Sequence, residues 1–465
     1  MKKVLATILA LVMAIGLCSI SWATESGLPA AVNGVIKLTG NATTTALQDD
    51  ITYDLNSHTL TYSGTTHEVA EGKTLTFMDS SVTDNNARGG TLVLSGVTGT
   101  TAAINPQKGA TLKVSNIKVT CTGSAFFPQG DAAKVDVTAC DVTAPIYCVG
   151  TNAGSTNNYN VVITLKNSTF VSNTADGDNC AVMINVPGTL NIDNCTITGD
   201  RQAVLVRAGT AVITNSDIKT TGKFTDAATK YHSGAWKSGN EVPAAALTVG
   251  NYQNGPASAY LAEAEVTVTN TKLTAENGVP AIYTDANDTH KGDLTIGGDS
   301  TVVTGKVMKG QKADKAVVAV TGGSYDSDVT SLTTEAVAVT GESEGTYVVG
   351  QSAINAVAKA GNNVRIVKGN VTLRDVPAGV IVYPGEGTVV VNGKDISGSQ
   401  YSDGYTVPQS SGYYYYQPTT DTKANDTKGS HHTLPKPFDS GISLYVGMAL
   451  TSAAGVAFVG KKRED

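Results

Sequence analysis

The chain has 465 residues, of which 16% are charged, and its formal net charge is −7. This balance excludes the strongly basic surface that nucleic-acid-binding proteins present to phosphate groups. Glycine is abundant, with 49 residues, while aromatic residues make up 6% of the chain, a composition typical of tightly turning coils. The length allows two or three compact domains or one elongated repeat domain.

The first 23 residues predict a secretory signal peptide. Lys2 and Lys3 precede the apolar run 4–20, and the small residues Ser21 and Ala23 stand where signal peptidase requires them. We therefore expect export, with cleavage after Ala23. The mature chain keeps five cysteines, which are Cys121, Cys140, Cys148, Cys180 and Cys195. Because five is odd, we expect buried free thiols rather than a complete disulfide framework.

Residues 181–222 contain two copies of a repeat of about twenty-two residues. The segments AVMINVPGTLNIDNCTITGD and AVLVRAGTAVITNSDIKTTG align their apolar, glycine and asparagine positions, and neither has a helical period. A unit of this length cannot bury its own apolar face and must stack on copies of itself. The repeat predicts a solenoid, and its short β-type runs predict an all-β protein built as a parallel β-helix.

A ladder of alternating apolar residues that ends in a turn residue recurs along the chain. Its copies are Leu75-Phe77-Asp79-Val82, Leu112-Val114-Asn116-Val119, Val135-Val137-Ala139-Val142, Ile163-Leu165-Asn167-Phe170, Leu190-Ile192-Asn194-Ile197, Ala211-Ile213-Asn215-Ile218 and Val266-Val268-Asn270-Leu273. The period of two places the apolar residues inward. The asparagines are expected at corners, in left-handed backbone, with amides that bond one another.

The spacing of the ladder makes two further predictions. In successive coils, Lys113 is expected beside Asp136 and Lys166 beside Asp193, as surface pairs of opposite charge. The 55 residues that separate Asn215 from the next ladder asparagine indicate either one further coil or one large insertion.

Two pairs of segments resemble a known family. Residues 51–60, ITYDLNSHTL, and residues 72–81, GKTLTFMDSS, resemble the opening of right-handed β-helix proteins on Gram-positive cell surfaces. Residues 322–329 and 345–350 resemble the segment that often closes such helices. The resemblance implies a right-handed parallel β-helix of the pectate-lyase-like fold and a bacterial surface location, without implying any particular chemistry.

The pattern changes after the β-helix, which we expect over residues 24–335. Residues 336–396 predict a small β/α cap that covers the open end of the sheets. Within the cap, Ser352 is expected to cap a helix over residues 353–360, and Gly361 is expected to end it. Four short strands with proline and glycine turns follow the helix.

The C-terminal part predicts a spacer and an anchor. Residues 397–437 are rich in Gly, Ser, Tyr and Thr and predict a disordered linker. Residues 438–465 predict a membrane or cell-wall anchor, because 441–460 carry no charge, precede a basic tail and are long enough to span a bilayer. The segment before the span resembles the LPxTG sorting motif of sortase substrates, with residues Leu434, Pro435, Lys436, Pro437 and Phe438. Pro437 replaces the Thr after which sortase cleaves, and Phe438 replaces the Gly, so the sequence leaves sortase processing open.

One long insertion contains candidate glycan-contact residues. Tyr231, Trp236, Tyr252 and Tyr260 lie among Gly, Ser and Asn between residues 221 and 262. Aromatic side chains on loops beside a solenoid face are suited to stacking on sugar rings. The alternative is a loop folded onto the helix with Trp236 as its anchor.

A second segment contains candidate Ca²⁺ ligands. Asp285, Asn287, Asp288 and Asp293 offer the hard oxygen atoms that Ca²⁺ prefers. Their spacing matches no regular calcium loop, and an Asp/Asn-rich turn is the alternative. No other cofactor is indicated.

The sequence offers no catalytic constellation. The Asp49–Asp50 pair lies at the start of the helix, away from the ladder motifs, and no nucleophile–base pattern or zinc spacing is evident. The leading hypothesis is a non-catalytic, adhesin-like or glycan-contacting protein of a Gram-positive cell surface, anchored by its C-terminus, with cell-surface or host glycans or proteins as partners. The alternatives are a Ca²⁺-dependent polysaccharide lyase or glycoside hydrolase, and a purely structural surface stalk.

Overall fold

The computed structural model describes residues 27–409 apart from residue 85 and segments 152–159, 174–178, 223–242, 251–262, 287–290, 311–314 and 342–344. Over the described residues the chain winds through eleven coils of short strands, and equivalent strands of successive coils pair in parallel. The prediction of an all-β solenoid of the parallel β-helix type is confirmed.

Each coil contributes two or three strands. Coils one to four contain β1 (Val35–Lys37) and β2 (Ala42–Thr44); β3 (Ile51–Asp54), β4 (Thr59–Tyr62) and β5 (His67–Val69); β6 (Thr74–Met78), β7 (Thr91–Leu94) and β8 (Ala102–Pro106); β9 (Thr111–Ser115), β10 (Lys118–Cys121) and β11 (Ser124–Phe126). Coils five to eight contain β12 (Lys134–Thr138) and β13 (Asp141–Ala144); β14 (Val161–Lys166), β15 (Thr169–Ser172) and β16 (Cys180–Ile184); β17 (Gly188–Asp193), β18 (Thr196–Gly199) and β19 (Gln202–Val206); β20 (Gly209–Thr214), β21 (Asp217–Thr220) and β22 (Ala245–Val249). Coils nine to eleven contain β23 (Ala264–Thr269), β24 (Lys272–Ala275) and β25 (Ile282–Thr284); β26 (Gly292–Gly297), β27 (Val302–Thr304) and β28 (Val307–Lys309); β29 (Val318–Val320) and β30 (Gly323–Tyr325).

The strands form three sheets that enclose one core. The first sheet takes the first strand of every coil, from β1 to β29, and the second sheet takes the second strand, from β2 to β30. The third sheet has two parts, β5–β8–β11 and β16–β19–β22–β25–β28. Val149 joins the parts across coil five through single bridges to Phe126 and Val182.

The predicted ladder register is confirmed, with one correction. Lys113 pairs with Asp136, and Lys166 pairs with Asp193, as the spacing predicted. The prediction for Val82 was wrong, because Leu92 occupies the second-sheet position beside Val119. The reason is the long corner of coil three, where residues 79–90 separate β6 from β7.

The corner asparagines adopt the predicted left-handed backbone. Their φ angles lie between 49° and 58° for Asn116, Asn167, Asn194, Asn215 and Asn270. Asn194 Nδ2 donates to Asn167 Oδ1 at 2.9 Å, so an amide contact between adjacent coils is present as expected. Ala139 takes the equivalent place in coil five with φ 54° and is fully buried.

After three of the corner asparagines, a buried hydroxyl residue, Ser168, Ser216 or Thr271, satisfies backbone groups of the adjacent coil. The Ser168 hydroxyl accepts from the Cys140 backbone N–H at 3.0 Å and donates to the Lys166 carbonyl at 2.6 Å. Ser216 Oγ accepts in the same way from the Cys195 N–H at 3.1 Å. The two cysteines therefore stand in a column of hydroxyl residues. All five mature cysteines are buried and free, as expected.

The 55-residue gap between corner asparagines contains no additional coil. Strands β20 and β23 pair directly, so the gap belongs to coil eight alone. Strand β22 lies within it and divides the inserted sequence into segments 223–242 and 251–262.

Beyond coil eleven the strand pairing changes to a mixed pattern. The elements are β31 (Val337–Thr340), β32 (Tyr347–Val349), α1 (Gln351–Lys359), β33 (Val364–Lys368), β34 (Val371–Leu373), β35 (Ile381–Tyr383), β36 (Val389–Val391), β37 (Lys394–Asp395) and β38 (Tyr405–Thr406), with 3-10 turns at Thr330–Leu332 and Ser399–Tyr401. Strands β30, β32, β31 and β33 are antiparallel neighbours that extend the second sheet. The prediction that Ser352 caps the helix was wrong: Gly350 occupies the N-cap, and the Ser352 hydroxyl donates to Asp299 Oδ2 at 2.8 Å. Gly361 follows the helix with φ 91°, as expected.

Candidate functional site on the third sheet

The inner strands of the third sheet are buried on both faces, unlike the strands of the first and second sheets. Every residue of β16, β19 and β22 is buried, whereas β17 and β20 alternate between buried and more exposed positions. Burial on both faces means that the outer face of a parallel sheet is covered. The third sheet is therefore the place where the solenoid departs from a simple scaffold.

The centre of this outer face is an apolar and aromatic strip. Met183, Leu205, Thr248, Tyr283 and Met308 follow one another across five coils in register. At one end of the strip, the Phe127 and Tyr147 rings lie 5.5 Å apart.

Gly150 is required beside the Phe127 ring. A Cβ at position 150 would lie 2.5 Å from the ring, which is too close for any larger residue unless the ring moves. Glycine thus lets the aromatic side chain lie flat against the sheet.

Two buried arginines stand at the ends of β19. Arg201 is 3% exposed and Arg207 is 2% exposed. The backbone around Arg201 is fixed, because its N–H donates to Asn179 Oδ1 at 3.2 Å and its carbonyl accepts from Thr220 Oγ1 at 2.9 Å. Burying a cation costs several kcal/mol unless partners compensate it. Arg201 and Arg207 are the buried cationic side chains among the described residues, and both lie at this sheet. This distinguishes the third sheet from the first and second sheets. We call the aromatic strip together with Arg201, Arg207 and Asp285 the third-sheet surface.

Asp285 lies in the same outward column as Arg207. The column follows the ends of the third-sheet strands, where the Arg207 N–H donates to the Ile184 carbonyl at 2.8 Å and the Asp285 N–H donates to the Val249 carbonyl at 2.9 Å. Asp285 is 1% exposed, and its Oδ2 accepts from the Tyr283 hydroxyl at 3.0 Å.

A glycine accommodates the Asp285 carboxylate. A Cβ at Gly310, in the next coil, would overlap that carboxylate. The Asp285 Oδ1 atom also accepts from the Ala286 N–H at 2.8 Å. The carboxylate is therefore held in place by its neighbours.

The two described members of the predicted calcium set have different partners. Asp293 lies on β26 of the first sheet, beside Glu265, and its Oδ1 accepts from the Val317 N–H at 3.1 Å. Asn287 and Asp288 lie outside the described residues. Within the described part of the chain, no three His, Cys, Asp or Glu side chains come together as a metal site would require. The calcium site stays a prediction.

The predicted aromatic glycan contacts lie outside the described residues, but the chain positions on either side of them are described. Tyr231 and Trp236 belong to segment 223–242, which precedes β22, and Tyr252 and Tyr260 belong to segment 251–262, which follows it.

The predicted targeting segments also lie outside the described residues. These are the signal peptide 1–23, the sorting motif 434–438 and the apolar segment 441–460. Over residues 27–409, gaps excepted, no helix has the length and apolar character needed to cross a membrane.

The Asp49–Asp50 pair has a structural role in the turn between coils. Asp49 Oδ1 lies 3.0 Å from His67 Nε2, and Asp49 Oδ2 accepts from the Ala70 N–H at 2.9 Å. Asp50 forms an ion pair with Lys73 at 2.6 Å, and the hydrogen bond from Lys73 is the main cause of its lowered pKa. Both carboxylates are engaged in holding the second and third coils together.

Sequence reasoning missed the buried arginines. The available signal was the run of consecutive apolar residues in AVMINV and AVLV, which indicates a strand buried on both faces rather than one. Arg201 and Arg207 flank the second of these runs. The burial of the two arginines can be predicted only after β19 has been assigned to a sheet whose outer face is covered.

Comparisons of the chain with protein-family models, with curated proteins and with solved structures gave no match. Its function is therefore inferred from its own residues.

Proposed function

We propose that this protein is an exported, non-catalytic, adhesin-like protein of a Gram-positive cell surface that contacts glycans. The contact would involve the insertions 223–242 and 251–262, whose ends adjoin the third-sheet surface. The supporting observation is that the buried Arg201 and Arg207, the aromatic strip and the ends of the tyrosine- and tryptophan-containing insertions all lie at one sheet. The solenoid would be right-handed, as parallel strand crossovers almost always are.

The outer faces of the first and second sheets suit a scaffold. Their outward positions carry mostly threonine together with paired charges, such as Asp217 and Lys272, whose side chains lie 3.4 Å apart. Exposed pairs of this kind contribute at most about 1 kcal/mol each and do not define a site.

Binding is favoured over catalysis because the charged groups are enclosed. General acid–base chemistry requires a side chain within hydrogen-bond reach of the substrate. Arg207 is 2% exposed and Asp285 is 1% exposed, with the Asp285 carboxylate already accepting from Tyr283. A polysaccharide outside the covered sheet would therefore not reach these groups.

The proposed location depends on the terminal segments. Residues 1–23 would direct export, residues 441–460 would cross the membrane, and residues 397–437 would space the solenoid from it. A chain truncated after residue 437 should appear in the medium, while the full chain should fractionate with membrane or wall. Recovery of the intact full chain as soluble protein in the medium would contradict the anchor.

A glycan array with the mature chain tests the proposed function. The Trp236→Ala variant should lower retention by roughly tenfold, because a stacked indole contributes about 1.5 kcal/mol. Tyr401→Ala is the matched control, since Tyr401 lies far along the chain, where its ring packs against Tyr405. A purely structural stalk would show no retention, and an enzyme would release shortened chains.

A further inference from the structure

A pocket of about 300 Å³ lies at the corner between the first and second sheets, away from the third-sheet surface. Asn86 and Arg88 form its roof, and Asn167, Thr169 and Asn194 belong to its floor in coils six and seven. This volume is at the lower end of the range found for small-molecule sites.

The roof is held across several coils by hydrogen bonds. The Gly89 N–H donates to the Asn116 carbonyl at 2.8 Å, and Asn116 Nδ2 donates to the Ala87 carbonyl at 3.1 Å. Arg88 then reaches two further coils, donating to Asp141 Oδ1 at 3.0 Å and to the Asn167 carbonyl at 2.7 Å. The corner segment of coil three thus arches over coils four to six.

The Arg88 charge is compensated by groups beside the pocket. Its guanidinium forms an ion pair with Asp141 and also donates to the Asn86 carbonyl. An anion would have to compete with the Asp141 carboxylate for this group. A divalent cation would need several carboxylates, which the pocket does not offer among its described residues. The pocket therefore favours an uncharged ligand.

The floor presents uncommitted polar groups of both kinds. Thr169 and Thr196 are neighbours in the second sheet, and neither hydroxyl hydrogen-bonds to another described residue. The bond from Asn194 Nδ2 to Asn167 Oδ1 leaves the Asn167 amide nitrogen and the Asn194 amide oxygen without a side-chain partner in the described structure. The floor therefore offers both hydrogen-bond donors and hydrogen-bond acceptors.

Sugar hydroxyls match this arrangement. Each hydroxyl donates one hydrogen bond and accepts others, so a polyhydroxylated ring can satisfy amide and threonine groups together. We propose that this corner pocket binds one neutral hexose or N-acetylhexosamine unit of a glycan. The site is independent of the third-sheet surface.

Isothermal titration of the mature chain with monosaccharides tests the proposal. The probes are glucose, galactose, mannose and N-acetylglucosamine, with glucuronic acid as the charged comparison. The double variant Thr169→Val and Thr196→Val removes both hydroxyls while keeping strand propensity. We expect one or more neutral sugars to bind and the double variant to raise Kd about tenfold, since each lost hydrogen bond contributes modestly.

Thr91→Val provides a matched control. Thr91 belongs to the same outward column, through Lys118 and Asp141 to Thr169, but does not line the pocket. It should leave Kd unchanged. The proposal is overturned if no neutral sugar binds, if Thr91→Val weakens binding as much as the double variant, or if glucuronic acid binds best. It is also overturned if only Trp236→Ala removes binding, a result that would leave the function proposed above intact.

Discussion

The buried carboxylate of Asp79 allows a sharp test of how the corner segment is held. Asp79 is 2% exposed, and its oxygens accept from the Ser57 N–H at 2.7 Å and the Ser81 N–H at 2.8 Å. The Gly90 N–H and the Ser81 hydroxyl donate to it as well. One side chain therefore fixes both ends of the segment that roofs the corner pocket.

Replacing Asp79 by asparagine should lower the free energy of unfolding by about 2–4 kcal/mol. The new amide NH₂ would face backbone N–H groups, and each buried donor left without an acceptor costs about 1–3 kcal/mol. Asp84→Asn is the matched control, because Asp84 accepts from the Asn86 N–H in an exposed position. Urea unfolding followed by circular dichroism at neutral pH measures both variants. A loss below about 1 kcal/mol for Asp79→Asn would refute the reasoning.

The same carboxylate predicts a pH dependence. Burial acts to raise the pKa of Asp79, but hydrogen bonds from Ser81, Ser57 and Gly90 outweigh it and hold the pKa below 3.8. A carboxyl with a lowered folded-state pKa stabilises the protein fully above its unfolded pKa, and this contribution is lost as pH falls through the folded pKa. The difference between the wild type and Asp79→Asn should be constant above about pH 5 and shrink below about pH 4. A difference that persists in strong acid would contradict this cause.

Three further predictions concern the solenoid. Asn215→Ala should lower the free energy of unfolding by about 1–2 kcal/mol, because alanine is strained at φ 51° and the hydrogen bond to Asp193 is lost. Asn215→Gly should lower it by less in the same urea experiment, because glycine adopts this φ without strain. Gly150→Val should lower the free energy of unfolding by about 1–3 kcal/mol in that assay, because the new side chain would collide with the Phe127 ring. An unchanged unfolding midpoint would mean that the ring moves freely. The mature thiols should react with a disulfide reagent only after unfolding, because burial raises the pKa of Cys148 to about 12, and fast reaction of the folded chain would disprove their burial.

The first two sheets were predictable because their strands alternate. In these sheets the period of two separates inward from outward residues, and the corner asparagines mark the register. The pairing of Leu190 with Ala211 and of Ile192 with Ile213 follows directly from that pattern. Val82 was misassigned because the sequence carries no signal for how long a corner segment is.

The third sheet and its site were only partly predictable. Strands buried on both faces lose the alternation that identifies them, so β16 and β19 were aligned as repeats without an orientation for their side chains. The burial of Arg201 depends on what covers the sheet, which local sequence does not encode. The corner pocket likewise joins Arg88 to Asn167, residues 79 positions apart, through coil stacking.

The most direct test of glycan contact uses a single fluorophore. The chain has two tryptophans, Trp22 and Trp236, and signal cleavage after Ala23 would leave Trp236 alone. Titrating the mature chain with a glycan retained on the array should give a saturable change in tryptophan emission, with the glycan chain length unchanged afterwards. Binding without any change in emission, or glycan chains shortened during the titration, would contradict a non-catalytic contact beside the third sheet.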